Sequence, residues 1–164
     1  MHKAFFNLSI FQSFNLFMKE AIILAGGLGT RLRSSIGESP KPMAMVAEKP
    51  FLQYILDYLS HYKFNRVVLA VGYKYEMIES HFGNSYKDIE LVYSVEEERL
   101  GTGGAIKLAL SECTTENILI CNGDSFIDID LDDFISKADN NSYECSLALN
   151  KMYKIDRYGL VVID

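Results

Sequence analysis

Basic charge is scarce in this sequence. Sixteen Lys and Arg stand against 22 Asp and Glu in 164 residues, a formal net charge of −6. That balance speaks against a nucleic-acid groove or an anionic membrane as the main partner. Cysteine is scarce too. Cys113, Cys121 and Cys145 are odd in number and lie in apolar stretches, which fits reduced, partly buried thiols in a cytoplasmic protein rather than a disulfide framework. No Cys or His pair has zinc spacing, and no Ser–His–Asp or Cys–His set is present. Internal repeats, low-complexity tracts and flexible linkers are absent as well. The opening residues 1–17, "MHKAFFNLSIFQSFNLF", are too short to span a bilayer and lack the small-residue cleavage site of an export signal. They are expected to be an upstream extension, with Met18 as the natural start of the domain.

The chain as a whole has an ordinary globular composition, 49% apolar and 23% charged residues, and its 164 residues suffice for one domain with one core. Its pattern alternates. "EAIIL" (Glu20–Leu24), "RVVLAVG", "ELVYS" and "NILICNGD" read as short apolar strands, the kind buried on both faces of a parallel sheet. Between them, "PFLQYILDYLSHY", "YEMIESHFG" and "GGAIKLALSE" read as helices, followed by "LDDFISKAD". The first places Phe51, Ile55 and Leu59 beside Leu52 and Leu56 on one face. "SLALN" and "LVVI" read as later strands. The predicted fold is α/β: a Rossmann-like three-layer sandwich with a mostly parallel central sheet. In such sheets ligands lie beyond the carboxyl ends of the strands. The glycine loop after the first strand, Gly72 and Tyr73 after the second, and "NGDS" after the fourth all fall there.

The local exception to the acidic balance is "LAGGLGTRLRSSIGESPKPM" (Leu24–Met43). From Ala21 to Ala47 the only charges are Arg31, Arg33, Glu38 and Lys41. Gly26, Gly27 and Gly29 follow a strand, where glycine lets backbone N–H groups approach and face an anion. It is neither a P-loop, since Thr30 and Arg31 follow Gly29, nor the dinucleotide fingerprint, which needs a glycine where Leu32 stands. Pro40 and Pro42 restrict the backbone around Lys41 and help to aim it. The spacing predicts a loop that holds phosphates.

"AIILAGGLGTRLR…PKPM", "EEERLGTGGAI" (Glu96–Ile106) and "NGDSF" (Asn122–Phe126), in that order, resemble the sugar-phosphate nucleotidyltransferases. Within that family the wording is most similar to the bacterial D-glycero-D-manno-heptose 1-phosphate guanylyltransferases. The resemblance covers residues 18–164. It implies a nucleotide-diphospho-sugar transferase type of fold, and a reaction that joins an NTP to a sugar 1-phosphate and releases pyrophosphate. A sugar phosphate has its second pKa near ~6, so it is already mostly dianionic at neutrality and needs no general base. The obstacle is repulsion between two polyanions, which positioning and charge neutralisation overcome. The resemblance implies Arg31 on the triphosphate and leaving pyrophosphate, and Lys41 between the α-phosphate and the attacking sugar phosphate. It also implies Asp124 as a ligand to Mg²⁺. Leu24, Ala25, Gly26, Gly27, Gly29, Thr30 and Arg31, with Glu96, Gly101 and Thr102, would line the nucleotide site.

Glu96 stands where family members place the base acceptor. A carboxylate accepts both N1–H and N2–H₂ of guanine, whereas uracil or thymine offers one donor and suits an amide. The expected nucleotide is therefore GTP. Asn122 and Gly159 are the expected sugar contacts, and Tyr54, Tyr58 and Tyr62 are expected in helix packing. A homo-oligomer is compatible with the sequence. The domain is expected to be incomplete after Asp164, because the family's later Glu-Lys pair and second metal-binding aspartate have no match, which leaves "LVVI" as an unpaired edge. Mannose 1-phosphate with GTP, or glucose 1-phosphate with UTP or dTTP, are the alternative substrates. A non-catalytic binding module is the alternative class.

Overall fold

The computed structural model describes residues 19–27, 39–141, 144–149 and 161. They fall into two units that divide after Ile127.

The first unit is built on a five-stranded sheet of order β5-β6-β4-β1-β7. Its strands are β1 (Glu20–Leu24), β4 (Arg66–Val71), β5 (Ser85–Tyr86), β6 (Ile89–Val95) and β7 (Ile118–Asn122). β6, β4, β1 and β7 run parallel, and only the two-residue β5 is antiparallel. A short hairpin, β2 (Met45–Val46) with β3 (Lys49–Pro50), stands apart from it. The helices are α1 (Phe51–His61), α2 (Tyr75–Phe82) and α3 (Gly101–Leu110).

In β1 and β4 the apolar runs form strands covered on both faces, whereas the edge strand β7 leaves Ile120 exposed. Ile22, Val68 and Ala70 on one face pack with Ala105 and Ala109 of α3, joined by Leu24, Val92, Cys113 and Ile118. Alternation turns Ile23, Val67, Leu69 and Val71 to the other face, where they too are fully buried. Small side chains on α3 let that helix sit close to the sheet. α1 buries Leu52, Ile55, Leu56 and Leu59 of the predicted apolar face, while Phe51, at its first position, is only half-buried. Gly83 ends α2 at φ +62°, a conformation that favours glycine.

At the amino end of the sheet, Glu20 is buried at 1% exposure. It accepts hydrogen bonds from the backbone N–H and hydroxyl of Thr114 and of Thr115, at 2.7–2.8 Å. Arg66 Nε lies 3.0 Å from Glu20 Oε1, but that N–H is not aligned for a hydrogen bond.

In the second unit, Asp130 caps α4 (Leu131–Asn141): its Oδ1 accepts from Asp133 N at 3.0 Å. The predicted strand "SLALN" is corrected here. Ser146–Leu149 carry no strand structure: a strand needs a paired neighbour, and among the described residues these have none in a ladder. "LVVI", apart from Val161, lies outside the described residues.

Candidate active site

Three strand ends bring the predicted site residues to one edge. Leu24 stands in register with Ala70 on one side and Asn122 on the other. The chain leaving β1 then follows its neighbours: Ala25 N donates to Ala70 O, and Gly123 N to Leu24 O, both at 2.8 Å. Asn122, Gly123 and Asp124 are thereby fixed beside the start of the glycine loop.

Lys41 reaches this edge from a different segment. Pro40 holds an extended backbone (φ −58°, ψ 144°) and starts a single 3₁₀ turn, Lys41–Met43, with Pro42 buried beneath it. The prolines thus fix the backbone on both sides of the lysine, as the spacing predicts. Lys41 Nζ donates to Asp124 Oδ2 across 83 residues of sequence, an ion pair. Each side chain is about a third exposed, at 35% and 38%. An ion pair this open contributes little stability, but it leaves a lysine and a carboxylate facing solvent at the carboxyl edge of the sheet.

Glu96 lies on the far side of β1. Its N–H continues the ladder to Val71 O at 2.8 Å, and its Oε2 accepts from Leu100 N at 3.1 Å. Gly26, Gly72 and Tyr73, with residues 97–99, complete a small recess around it. Between the ends of β6 and β7 lie β4 and β1, so three strand spacings, roughly 14 Å, separate the Glu96 side from the Asp124 side. The glycine loop starts between them. Gly101, three residues further on than Glu98, has φ +70° at the start of α3, so its backbone conformation itself calls for glycine. Thr102 is exposed on that first turn.

Leu24, Ala25, Gly26, Gly27, Glu96, Asn122 and Asp124 therefore occupy strand ends or the residues that directly follow them, while Lys41 comes from the separate 3₁₀ turn and Gly101 and Thr102 from the first turn of α3. Gly29, Thr30, Arg31 and Gly159 lie outside the described residues. The three tyrosines serve packing, as expected: Tyr54 donates to Val46 O at 2.8 Å, and Tyr58 meets the rings of Tyr62 and Phe126 edge-on at 5.1 and 5.0 Å. Cys113, Cys121 and Cys145 are free. Burial pushes the Cys121 thiol up to about 12, so it offers no thiolate nucleophile. Leu100, whose amide holds Glu96, carried no signal in the sequence, because any residue supplies a backbone N–H.

The profile of the nucleotidyl transferase family matches residues 20–164. The chain belongs to the nucleotidyl transferase family. Over 143 residues it is 50% identical to the D-glycero-alpha-D-manno-heptose 1-phosphate guanylyltransferase of Aneurinibacillus thermoaerophilus, an alignment covering 87% of this chain and 62% of that protein. The enzyme of the same description from Campylobacter jejuni is 49% identical over 145 residues, 88% of this chain and 63% of that protein. The nucleotidyl transferase chain thus spans just over three-fifths of these relatives' length. Among solved structures, HddC from Yersinia pseudotuberculosis complexed with GMP-PN superposes with a TM-score of 0.66 at 38% identity, covering 74% of this chain and 54% of that one. Both the family and the α/β fold with a mostly parallel sheet agree with the sequence-based expectation.

Nucleotidyl transferases typically use Mg²⁺. Among the described residues no cluster of three His, Cys, Asp or Glu could enclose a metal. A single, partly exposed carboxylate such as Asp124, paired with Lys41 in this structure, nevertheless fits Mg²⁺, which is usually held by one or two carboxylates while substrate phosphates and water supply the other oxygens. No helix among the described residues is long and apolar enough to cross a membrane.

Proposed function

We propose that the protein transfers the guanylyl group of GTP to D-glycero-D-manno-heptose 1-phosphate, with release of pyrophosphate, in the cytoplasm. The observation that carries this reading is the Lys41–Asp124 pair at the carboxyl edge of the sheet. The two groups that the reaction needs next to the phosphates are already together, and each is open to solvent. Two similar proteins with this activity at about half identity supply the substrate pair.

The sugar-phosphate oxygen attacks the α-phosphorus of GTP. A new P–O bond forms there as the bond to the bridging oxygen breaks, and pyrophosphate leaves with the electron pair. No side chain has to remove a proton, because the nucleophile is already anionic. Lys41 exchanges its carboxylate partner for phosphate oxygens and draws the two anions together. Asp124 is the residue that would hold Mg²⁺, which when bound would supply neutralisation of phosphate charge. Glu96 reads the guanine edge, and the strand spacing separates base end from phosphate end. Asn122 contacts the sugar.

The test is pyrophosphate release from GTP, ATP, UTP, CTP and dTTP with a panel of sugar 1-phosphates, with and without EDTA. The reading expects turnover with GTP and the heptose phosphate that EDTA abolishes. Turnover confined to another nucleotide, or none with any pair, overturns it.

A further inference from the structure

Gly26 poses a question that its place in a phosphate-binding loop leaves open. Its φ is outside the left-handed region that only Gly83 and Gly101 adopt among the described glycines, so alanine fits its backbone. A Cβ built on Gly26 would nevertheless stand 2.7 Å from Glu96 Oε1, well inside contact distance. Its next neighbours, Gly72 N and Val71 C, would be at 3.5 Å, an ordinary contact. Among the described residues, the one atom that obstructs a Cβ at Gly26 is thus Glu96 Oε1.

That carboxylate is otherwise firmly placed. The Glu96 backbone is held by Val71 O, and Oε2 is held by Leu100 N. Oε1 fills the space above Gly26. We propose that Gly26 is a specificity-determining residue: by lacking a Cβ it lets the Glu96 carboxylate lie where both of its oxygens meet the base. The inference rests on the guanine-reading role of Glu96. A methyl at Gly26 meets the far end of a flexible side chain, so Glu96 swings aside while the sheet stays intact. What is lost is a pair of charge-assisted hydrogen bonds to the base, while the phosphate contacts remain.

Calorimetric titration of the full chain with GTP and with UTP tests this, alongside thermal unfolding. The expected result is a GTP preference in the wild type that Gly26→Ala erases through about a tenfold loss of GTP affinity. UTP affinity and Tm should hold. Equal loss for both nucleotides means that Gly26 provides clearance for the ligand itself, and it overturns the proposal. A GTP preference that survives Gly26→Ala overturns it alone; a wild type without any GTP preference overturns the guanine role as well. Should Gly26→Ala fail to fold, the same change in a Glu96→Ala background decides. With the carboxylate gone it should fold and bind GTP as Glu96→Ala does, and a further loss there refutes the steric account.

Discussion

At the scale of single residues, Lys41 and Asp124 separate stability from activity. Their ion pair is about a third exposed on both sides, which limits its stabilisation to about 0–1 kcal/mol. Lys41→Ala and Asp124→Asn should therefore shift Tm by only a degree or two, a small fraction of the stability of a typical domain. Pyrophosphate release should fall by roughly 100-fold or more, as expected when a group that stabilises transition-state charge is removed. Comparing melting curves with initial rates checks this, and a large drop in Tm would make the lysine structural. The lysine itself was legible in the sequence, because two prolines around one cation in an acidic chain are an unusual local choice. Its partner was not. No spacing rule joins residues 83 positions apart; only the family resemblance named Asp124, and only the fold shows the two in contact. Glu96 was readable as a base acceptor by resemblance, whereas the space it takes from Gly26 required coordinates.

At the scale of elements, the sheet is fastened at the end opposite the site. Glu20 at the start of β1 gathers four hydrogen bonds from Thr114 and Thr115, just before β7, while Arg66 at the start of β4 adds its charge. Arg66 goes on to Glu90 of β6 at 2.5 Å and to Glu112 O at 2.9 Å. Glu20 and Arg66 together therefore link four strand starts. Glu20→Gln keeps the shape but replaces an acceptor oxygen with an amide N–H that faces donors, which should cost roughly 2–3 kcal/mol. Urea denaturation measures it directly; a cost near zero would show the carboxylate to be dispensable. The long elements here were legible: α1 by its 3.6-residue apolar face, β1, β4 and β7 by continuous apolar runs. The hairpin β2–β3 and the edge strand β5 were not, because a two-residue strand shows no alternation. "SLALN" misled for the opposite reason, since an apolar run announces burial and β propensity but says nothing of whether a strand pairs with it.

For the whole molecule, these local environments combine into a stability profile with pH. Burial alone pushes the Glu20 carboxyl up, but the Thr114 and Thr115 hydrogen bonds outweigh it and leave its pKa below the ordinary 4.5. Asp57 behaves alike: burial raises it, while Lys87, Tyr86 and Lys49 bring it below its usual 3.8. A carboxyl lowered by folding contributes its stabilisation in full above the unfolded pKa, then loses it as pH falls through the folded value. The acid limb should therefore begin near pH ~4.5 and steepen below it. On the alkaline side, burial and the nearby charge of Glu79 push Tyr93 up from 10.0 to about 12, while its hydroxyl donates to Gly83 O at 2.7 Å. A phenol raised by folding stabilises fully below the unfolded pKa, so its contribution falls away as pH rises from about 10 to about 12. Unfolding free energy measured in urea across pH should show a plateau between these limbs. Glu20→Gln should lower the plateau and flatten the acid limb. Tyr93→Phe cannot ionise, so it should flatten the alkaline limb and leave the acid one unchanged. If both limbs persist in both variants, the profile belongs to other groups, and the two anchoring environments do not govern how this molecule responds to pH.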